Sequence, residues 1–556
     1  MPDARSPSAA APGGPSAHED DFAARMLPPR DQWPEMPFDS LPGLAAIPDR
    51  VNCGAVLLDG GAARFGDRPA CLYRDHVWTY ADLKRQADRL AHVLVDDLGV
   101  RPGNRVLIRG GNTPMFVACW FAVMKAGAVA VATMPLLRWR ELAYMIDRAE
   151  ITVALCDRRL ADEMARAQAE SHHLKHVRHY AGDMSAPDEL ELAAATRPDA
   201  FQAVDTAADD VCLIAFTSGT TGQPKGCMHF HRDVLAINAT FADLVLKPGP
   251  DDIFTGSPPI AFTFGLGALV TFPMSAGAAT LFSEQFTPES MLQAIQDHRV
   301  TTLFTAPTAY RTMTGLAEGF DLSSLHTCVS AGETLPAPVW QGWHDATGIR
   351  TIDGLGSTEM LHIFIAETAE NMRAGATGRP IPGYQAKVVD DQGNDCPPGV
   401  VGHLAVRGPT GVRYLDNPER QAAYARDGWN RTGDSYLVDQ DGWFRYAART
   451  DDMIISAGYN ISGPEVESIL LTHPAVAECA VIGAPDPERG QIVKAFVVAR
   501  DAAAAGPELA RALQDHVKAE IAPYKYPRAV EFVAELPKTQ TGKVQRFQLR
   551  RDEETK

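Results

Sequence analysis

The stretch Thr217-Ser218-Gly219-Thr220-Thr221-Gly222-Gln223-Pro224-Lys225-Gly226 decides how this chain is organised. It follows an apolar run, residues 211–216, whose length and composition are typical of a strand buried on both faces of a sheet. Glycines let backbone N–H groups approach a ligand closely, hydroxyl side chains add donors, and Lys225 adds a positive charge. The sequence therefore predicts a phosphate-binding loop at the end of a buried strand.

This loop differs from the common P-loop of nucleotide-binding proteins. That motif requires Ser or Thr directly after its lysine, whereas Gly226 follows Lys225 here, and the glycine spacing also differs. Taken alone, the stretch is also compatible with a solvated turn rich in Ser, Thr and Gly. The rest of the chain has to decide between these two interpretations.

Composition limits the class of protein. With 556 residues the chain is too long for one hydrophobic core, so two or more domains are expected. The net charge of −18 argues against a nucleic-acid or anionic-membrane partner, because both need a basic face. The nine cysteines are scattered without a CxxC pair, which suggests neither a disulfide framework nor a zinc site and fits a reducing cytoplasm. Residues 1–20, rich in Ala, Pro, Ser and Gly, are expected to form a disordered tail.

One apolar stretch, residues 116–137, could be mistaken for a membrane span. Lys125, Gly127 and Pro135 interrupt it, and Thr113-Pro114 before it has the form of a helix N-cap followed by proline in the first turn. A buried helix followed by a buried strand explains the stretch better than a span does.

The order of elements predicts the fold class. From residue 70 onward, strand and helix patterns alternate, for example in the helix that Thr79 caps, and such βα units predict a parallel sheet covered by helices. From about residue 383 short strands with turn signals predict a small β-rich subdomain. From about residue 450 a compact α+β unit follows, its first helix marked by Ser462-Gly463-Pro464-Glu465. We therefore predict an α/β protein: a large domain (21–450) of doubly wound α/β subdomains plus the β-rich subdomain, then a smaller, mobile α+β domain (451–556).

The decapeptide resembles the signature of the acyl-adenylate-forming enzymes, and five later stretches match the same family in the family's order. The five stretches are residues 353–359, 427–434, 449–452, 456–460 and 537–543. The resemblance implies that the large domain binds ATP and an acid, that the small domain carries the catalytic lysine, and that coenzyme A is the second substrate.

Individual roles follow from the same resemblance. Phosphate and nucleotide contacts are implied for the loop and the motif at 353–359, with Thr358 on a phosphate and Glu359 and Thr220 on Mg²⁺, for which hard oxygen ligands suit. A ribose contact is implied for Asp434, and a second ribose contact or a phosphate contact for Arg449. The resemblance also implies the pantetheine channel for Gly458 and Tyr459, the hinge for Asp451, and catalytic charge neutralisation for Lys543. The complete set of implied nucleotide- and CoA-binding residues is Thr217, Ser218, Gly219, Thr220, Thr221, Gly222, Lys225, Gly332, Glu333, Asp353, Gly354, Leu355, Gly356, Thr358, Asp434, Arg449, Gly458 and Tyr459, with Lys225, Thr358, Glu359 and Lys543 as the catalytic group.

Leu355 departs from the pattern, because many family members have Tyr there; an aliphatic residue at this point resembles the aryl-CoA ligase branch. The pair His229 and His231 alternates as two ligands on one strand face would, yet no third metal ligand is evident, so a packing role is preferred.

The pocket for the acid is read from less specific residues. Two aromatic rings, a shelf of small residues and one histidine indicate a flat, mostly apolar slot that suits a benzene ring better than a long acyl chain; the alternative is that the aromatic rings are simply core. The residues are Phe262, Thr263, Phe264, Gly265, Ala331, Gly332, Gly356 and His362. The chain most resembles 2-aminobenzoate-CoA ligases, in which His362 would meet an ortho substituent, or else be a core histidine bonded to backbone.

The predicted activity is an ATP-, Mg²⁺- and CoA-dependent ligation of an aromatic acid, with 2-aminobenzoate as the first choice, in a cytoplasmic protein that could form a homodimer. Benzoate- or salicylate-type ligases and a stand-alone enzyme that loads an aryl acid onto a carrier protein are the alternatives. A catalytically silent AMP-binding scaffold is a further alternative, which the presence of Lys225, Glu359, Asp434, Arg449 and Lys543 argues against.

Overall fold

The computed structural model describes residues 15–217, 224–449, 452–456, 459–486, 489–521, 523–539 and 543–554. The side chains of 449, 459, 460, 523 and 554 are outside this description. Several predicted site residues therefore lie outside the described residues: Ser218, Gly219, Thr220, Thr221, Gly222, Asp451 and Gly458.

The first sheet has six strands and contains the buried strand that precedes the phosphate-binding loop. Its first five strands are parallel and the last is antiparallel to its neighbour. In spatial order the strands are His176–Tyr180, Val153–Asp157, Arg105–Arg109, Val129–Thr133, Val211–Thr217 and Lys225–Phe230. We call Val211–Thr217 the phosphate strand; its first six residues are buried, as its apolar sequence predicts.

The second sheet has nine strands and is parallel in its centre, with antiparallel strands at both ends. In spatial order these are Arg379–Pro380, Ile363–Ala366, Thr351–Gly356, Thr327–Ala331, Thr302–Thr305, Ile253–Gly256, Ala279–Leu281, Pro69–Tyr73 and His76–Thr79. The two large sheets confirm the prediction of α/β subdomains.

Two smaller sheets follow. An antiparallel sheet of Gln385–Val389, Gly402–Arg407, Trp429–Val438, Ala425–Arg426 and Phe444–Arg449 is the predicted β-rich subdomain. The last sheet contains Tyr459–Ile461, Ile454–Ser456, Gly490–Ala499, Val476–Asp486 and Ala529–Phe532 and has its own apolar core. The strands Val476–Asp486 and Gly490–Ala499 form an antiparallel ladder of ten residue pairs, which includes Gly483 and Pro485.

Helices cover these sheets, and several begin where the sequence predicts. Thr79 and Asp82 form a capping box, and Thr113 accepts from the N–H of Phe116 at 3.4 Å. Ser462 accepts from Glu465 N–H, but the Glu465 carboxylate pairs with Lys525 at 2.6 Å, so that capping box is only half formed. The α-helices are Phe22–Met26, Pro42–Ala45, Gly60–Phe65, Tyr80–His92, Pro114–Lys125, Trp139–Arg148, Ala161–Glu170, Glu189–Ala195, His231–Ile237, Thr263–Leu266, Phe272–Ala276, Pro288–His298, Pro307–Thr314, Ala337–Thr347, Pro418–Tyr424, Gly463–Leu470, Pro507–Glu520 and Arg546–Glu554.

The apolar stretch at 116–137 is core. Helix Pro114–Lys125 is buried at every position, Gly127 ends it with a φ of +66°, and the strand Val129–Thr133 follows. Within the described part of the chain, no helix combines the length and the apolar character needed to cross a bilayer.

At the N-terminus, residues 1–14 lie outside the described residues, but the predicted tail is shorter than 20 residues. Ser16 Oγ donates to the Asp210 carboxylate at 2.5 Å, and Asp20 pairs with Arg105 at 2.6 Å. Residues 16–20 are therefore attached to the large domain, which corrects the boundary expected from composition.

Candidate active site

The predicted phosphate-binding loop lies in sequence between two antiparallel strands of the first sheet. Thr217, the last residue of the phosphate strand, is directly paired with Lys225, the first residue of the next strand. The strand register therefore places Thr217 and Lys225 at the base of the loop. The intervening residues 218–223 are among those not described, so their contacts stay a prediction.

Two parallel strand ends bring the next predicted residues together. Ser330 is paired with Asp353 and Ala331 with Gly354, so Gly332 and the motif at 353–359 leave the second sheet at the same edge. The carboxyl edge of a parallel sheet is where α/β proteins bind ligands. Burial raises the pKa of the Asp353 carboxyl well above its ordinary value, despite a hydrogen bond from Leu335 N–H.

Residues 357–359, which we call the acidic turn, follow directly. Its geometry is held from outside: Nε2 of His229 lies 2.8 Å from the Thr358 carbonyl oxygen, and the Tyr414 hydroxyl donates to Glu359 Oε1 at 2.7 Å. Neither His229 nor Tyr414 was assigned a site role from the sequence. The alternation of His229 and His231 along a predicted strand is the only sequence signal, and we interpret it as packing.

The predicted ribose contacts are neighbours in the β-rich subdomain. Asp434 and Arg449 are directly paired on adjacent antiparallel strands, although 15 positions apart in sequence. Asp434 is 6% exposed, and the side chain of Arg449 is not described. The strand register therefore places Asp434 and Arg449 close enough for both to contact the same part of a bound nucleotide.

Lys543 reaches the edge of the second sheet from the small domain. A Cβ built on Gly332, whose φ is +89°, would lie 3.4 Å from Lys543 Cε and 3.5 Å from Nζ. Next to it, burial raises the pKa of the Glu333 carboxyl, while the charges of Lys543 and Arg546 oppose that shift. The small domain is therefore oriented with the predicted catalytic lysine over the ends of the central strands.

The residues predicted for the acid pocket lie beside this edge. Phe262 precedes helix Thr263–Leu266, and the Phe264 ring meets Phe304 edge-on at 5.8 Å. Gly265 has to be glycine, because a Cβ there would lie 2.2 Å from the Pro259 carbonyl oxygen. Leu355, Phe262 and Phe264 are half-buried and border the main core, so the aromatic wall has both a packed side and an open side.

His362 is more deeply placed than a pocket residue needs to be. It is 3% exposed, its ring lies 4.6 Å from Phe272 and 5.7 Å from Phe264, and its Nε2 lies 3.3 Å from the Phe264 carbonyl oxygen. Burial lowers the pKa of His362 to about 3, so the ring is neutral. These contacts match the alternative of a core histidine bonded to backbone; Nδ1 nevertheless has no hydrogen-bond partner among the described residues.

His231 does not share a strand face with His229, since it begins helix His231–Ile237. It lies instead with Cys53 and Cys212, and one possible ligand atom from each of the three lies within 4.8 Å of the others. Sequence spacing did not reveal these two cysteines. Nδ1 of His231 already accepts from the Cys53 N–H at 3.2 Å, so we interpret the group as a hydrogen-bonded core cluster.

Comparisons with known proteins identify the family. The family model described as AMP-binding enzyme matches residues 58–414, and the model of the AMP-binding enzyme C-terminal domain matches residues 465–543. A benzoate-CoA ligase of Thauera aromatica is 36% identical over 92% of this chain and 97% of its own length.

Two solved structures are also similar over most of the chain. The anthranilate CoA ligase AuaEII, solved in complex with anthranoyl-AMP, superimposes with a TM-score of 0.86 at 33% identity, covering 92% of this chain and 98% of that one. A benzoate CoA ligase from Burkholderia xenovorans gives a TM-score of 0.82 at 32% identity, covering 90% of this chain and 100% of that one. The chain belongs to the AMP-binding enzyme family, and within it to the aryl-CoA ligase branch.

Proposed function

We propose that this aryl-CoA ligase activates 2-aminobenzoate with Mg·ATP and transfers the acyl group to CoA, releasing AMP and pyrophosphate. The observation that carries the choice of acid is the likeness to an anthranilate CoA ligase solved with anthranoyl-AMP, and the Nδ1 of the buried His362, without a partner among the described residues, is compatible with it. Because Nε2 faces a carbonyl oxygen, the hydrogen is on Nε2, and Nδ1 is an acceptor. An ortho amino group is a donor of matching chemistry.

In the first step of the proposed reaction the acid carboxylate attacks the α-phosphate, forming a mixed anhydride and expelling pyrophosphate. Lys543, held beside Gly332, neutralises charge that builds between carboxylate and phosphate. The base of the phosphate loop, Thr217 and Lys225, holds the triphosphate, and Asp434 accepts from the ribose. No nucleophile from the protein is needed, so positioning and charge carry the step.

The residues of the acidic turn fit a magnesium ion. Glu359 supplies a hard carboxylate oxygen, and among the described residues only its Oε1 carries a hydrogen bond. Bound Mg²⁺ would supply charge neutralisation of the phosphates. Thr220, the second ligand that the family resemblance implies, is not described.

In the second step we propose that the small domain rotates about Asp451, withdraws Lys543 and admits the CoA thiol through a channel lined by Gly458 and Tyr459. The thiol sulfur attacks the acyl carbon, the bond to AMP breaks, and the thiol proton leaves to solvent.

The substrate is tested with a panel of benzoates in an ATP- and CoA-dependent assay of AMP release. We expect the highest kcat/KM for 2-aminobenzoate and measurable use of other benzoates, because one substituent in an apolar pocket gives only about 10- to 200-fold discrimination. Acyl transfer to a carrier protein but not to CoA would contradict the proposal.

Two variants separate the roles of His362. His362→Ala removes the acceptor, so we expect the preference for 2-aminobenzoate over benzoate to narrow. Thr271→Ala is the matched control, since Thr271 is also buried in this region and its hydroxyl has no partner among the described residues. An unchanged preference in His362→Ala, together with lost stability, would assign His362 to the core instead.

A further inference from the structure

Two buried side chains hold the acidic turn, and they come from parts of the chain distant in sequence. His229 lies 129 positions before Thr358 and is completely buried, with its Nε2 2.8 Å from the Thr358 carbonyl oxygen. Tyr414 lies 55 positions after Glu359 and donates to its carboxylate at 2.7 Å. The Thr358 carbonyl, which also accepts from Leu361 N–H at 3.2 Å, and the Glu359 carboxylate are thus each contacted by a side chain from a distant part of the sequence.

The imidazole of His229 lies beside a buried ion pair. Since a carbonyl oxygen can only accept, Nε2 of His229 carries the hydrogen, and its Nδ1 faces Asp233 Oδ2 at 3.7 Å. Asp233 is paired with the buried guanidinium of Arg413. Although burial opposes it, the Arg413 charge lowers the pKa of Asp233, so the carboxylate stays ionised. The ring of His229 therefore lies between an ionised carboxylate and the acidic turn.

Tyr414 is an equally constrained donor. Its ring is buried and meets Tyr424 edge-on at 5.8 Å, and its N–H donates to Gln421 Oε1 at 3.0 Å. Its backbone also forms a bridge to Cys227, which is on the same strand as His229. Both donors are consequently fixed to the strand that leaves the phosphate-binding loop.

We propose that His229 and Tyr414 are positioning residues for the activation of ATP: together they lock the acidic turn to the phosphate-loop strand, so that Thr358 and Glu359 meet Mg·ATP in a fixed geometry. This inference rests on the proposed function in assigning Glu359 to the cation. Removal of a residue that orients a metal ligand typically weakens metal binding or activity by about 10- to 100-fold.

The Tyr414→Phe variant removes one hydroxyl and keeps the ring. The affinity for Mn²⁺·ATP is measured in the absence of the aryl acid substrate, with the EPR signal of free Mn²⁺ as the readout. We expect this affinity to fall about tenfold in Tyr414→Phe. Adenylation, measured as pyrophosphate release, should slow, while thioesterification of supplied 2-aminobenzoyl-adenylate should keep its rate. Tyr80→Phe is the control, because Tyr80 is as deeply buried and its hydroxyl donates to a backbone carbonyl, of Ala278, at 2.8 Å.

His229 is tested by a pair of variants. His229→Gln keeps an N–H near the position of Nε2 and should retain most of the Mn²⁺·ATP affinity, whereas His229→Leu should lose about tenfold. This comparison does not depend on Tyr414→Phe folding. Equal Mn²⁺·ATP affinity in wild type, Tyr414→Phe and His229→Leu would overturn the inference, as would an equal loss in Tyr80→Phe.

The two proposals can fail separately. If wild type forms no adenylate from any aryl acid but Tyr414→Phe still weakens Mn²⁺·ATP binding, the proposed function is wrong and the positioning roles stand. If wild type makes aryl-CoA and the variants Tyr414→Phe and His229→Leu bind Mn²⁺·ATP with wild-type affinity, the positioning roles are wrong.

Discussion

An ion-paired carboxylate connects the small domain to the large one. Glu478, on strand Val476–Asp486, accepts from Arg311 of the large domain at 2.8 Å and pairs with Lys538 of the small domain at 2.7 Å. Lys538 precedes the turn in which Lys543 N–H donates to Thr539 Oγ1 at 3.1 Å. We predict that Arg311→Ala weakens the domain orientation in which Lys543 lies beside Gly332, and with it the adenylation half-reaction.

The expected size of the effect of Arg311→Ala follows from the solvent exposure of the Arg311–Glu478 ion pair. The side chains of Arg311 and Glu478 are 26% and 25% exposed, so solvent still screens the pair in part, and we use the energy range of exposed pairs. Such a pair contributes about 0.2–1 kcal/mol, which is about a 1.4- to 5-fold change in the population of one orientation. The effect should shrink at high salt, because screening weakens partly exposed pairs.

The assay measures the two half-reactions apart. Pyrophosphate release without CoA should slow by about 1.4- to 5-fold in Arg311→Ala at low salt, and conversion of supplied acyl-adenylate to the thioester should stay the same or rise. Arg299→Ala is the control, because Arg299 forms a surface pair with Asp321 at 3.1 Å within the large domain. An equal loss in both half-reactions, or a loss that 0.5 M salt leaves unchanged, would refute the reasoning; that salt concentration shortens the screening length to only about a few Å.

Three further predictions concern single residues. Lys543→Ala should slow adenylation by about 10²–10³-fold and leave thioesterification of supplied acyl-adenylate largely intact; equal loss in both steps would contradict its role. Asp451→Pro should affect the two half-reactions very unequally, because proline fixes the φ that a hinge must change, and a wild-type overall rate would exclude Asp451 as the hinge. Asp353→Asn should raise the Tm most at neutral pH. Burial raises the pKa of Asp353 in the folded protein, so the wild type loses stability as the pH rises from the unfolded pKa of about 3.9 towards the folded pKa. The amide that replaces the carboxyl does not titrate, so the variant does not lose this stability. A Tm difference that is the same from pH 4.5 to 7.5 would exclude this reason.

Sequence patterns were sufficient for features that depend on a few neighbouring residues. The phosphate strand is apolar over consecutive positions and is buried, and the caps at Thr79 and Thr113 form where hydroxyl side chains meet backbone N–H groups three residues on. The family motifs also identified the residues that later meet at the strand edges. The extent of paired strands could not be predicted from sequence, as in Val476–Asp486, where pairing with Gly490–Ala499 continues the ladder past Gly483 and Pro485.

By itself, the sequence determined the α/β class, because periodicity and helix caps are local, and its motifs, through their resemblance to a known family, predicted the site residues of an aryl-CoA ligase. Only the tertiary structure decided that Lys543 lies beside Gly332, that His229 and Tyr414 hold the acidic turn, and that His362 is buried among phenylalanine rings. Each of these contacts joins segments tens to hundreds of positions apart. Their distances depend on strand order, register and domain docking, which the global minimum of packing free energy selects and no short stretch of sequence encodes.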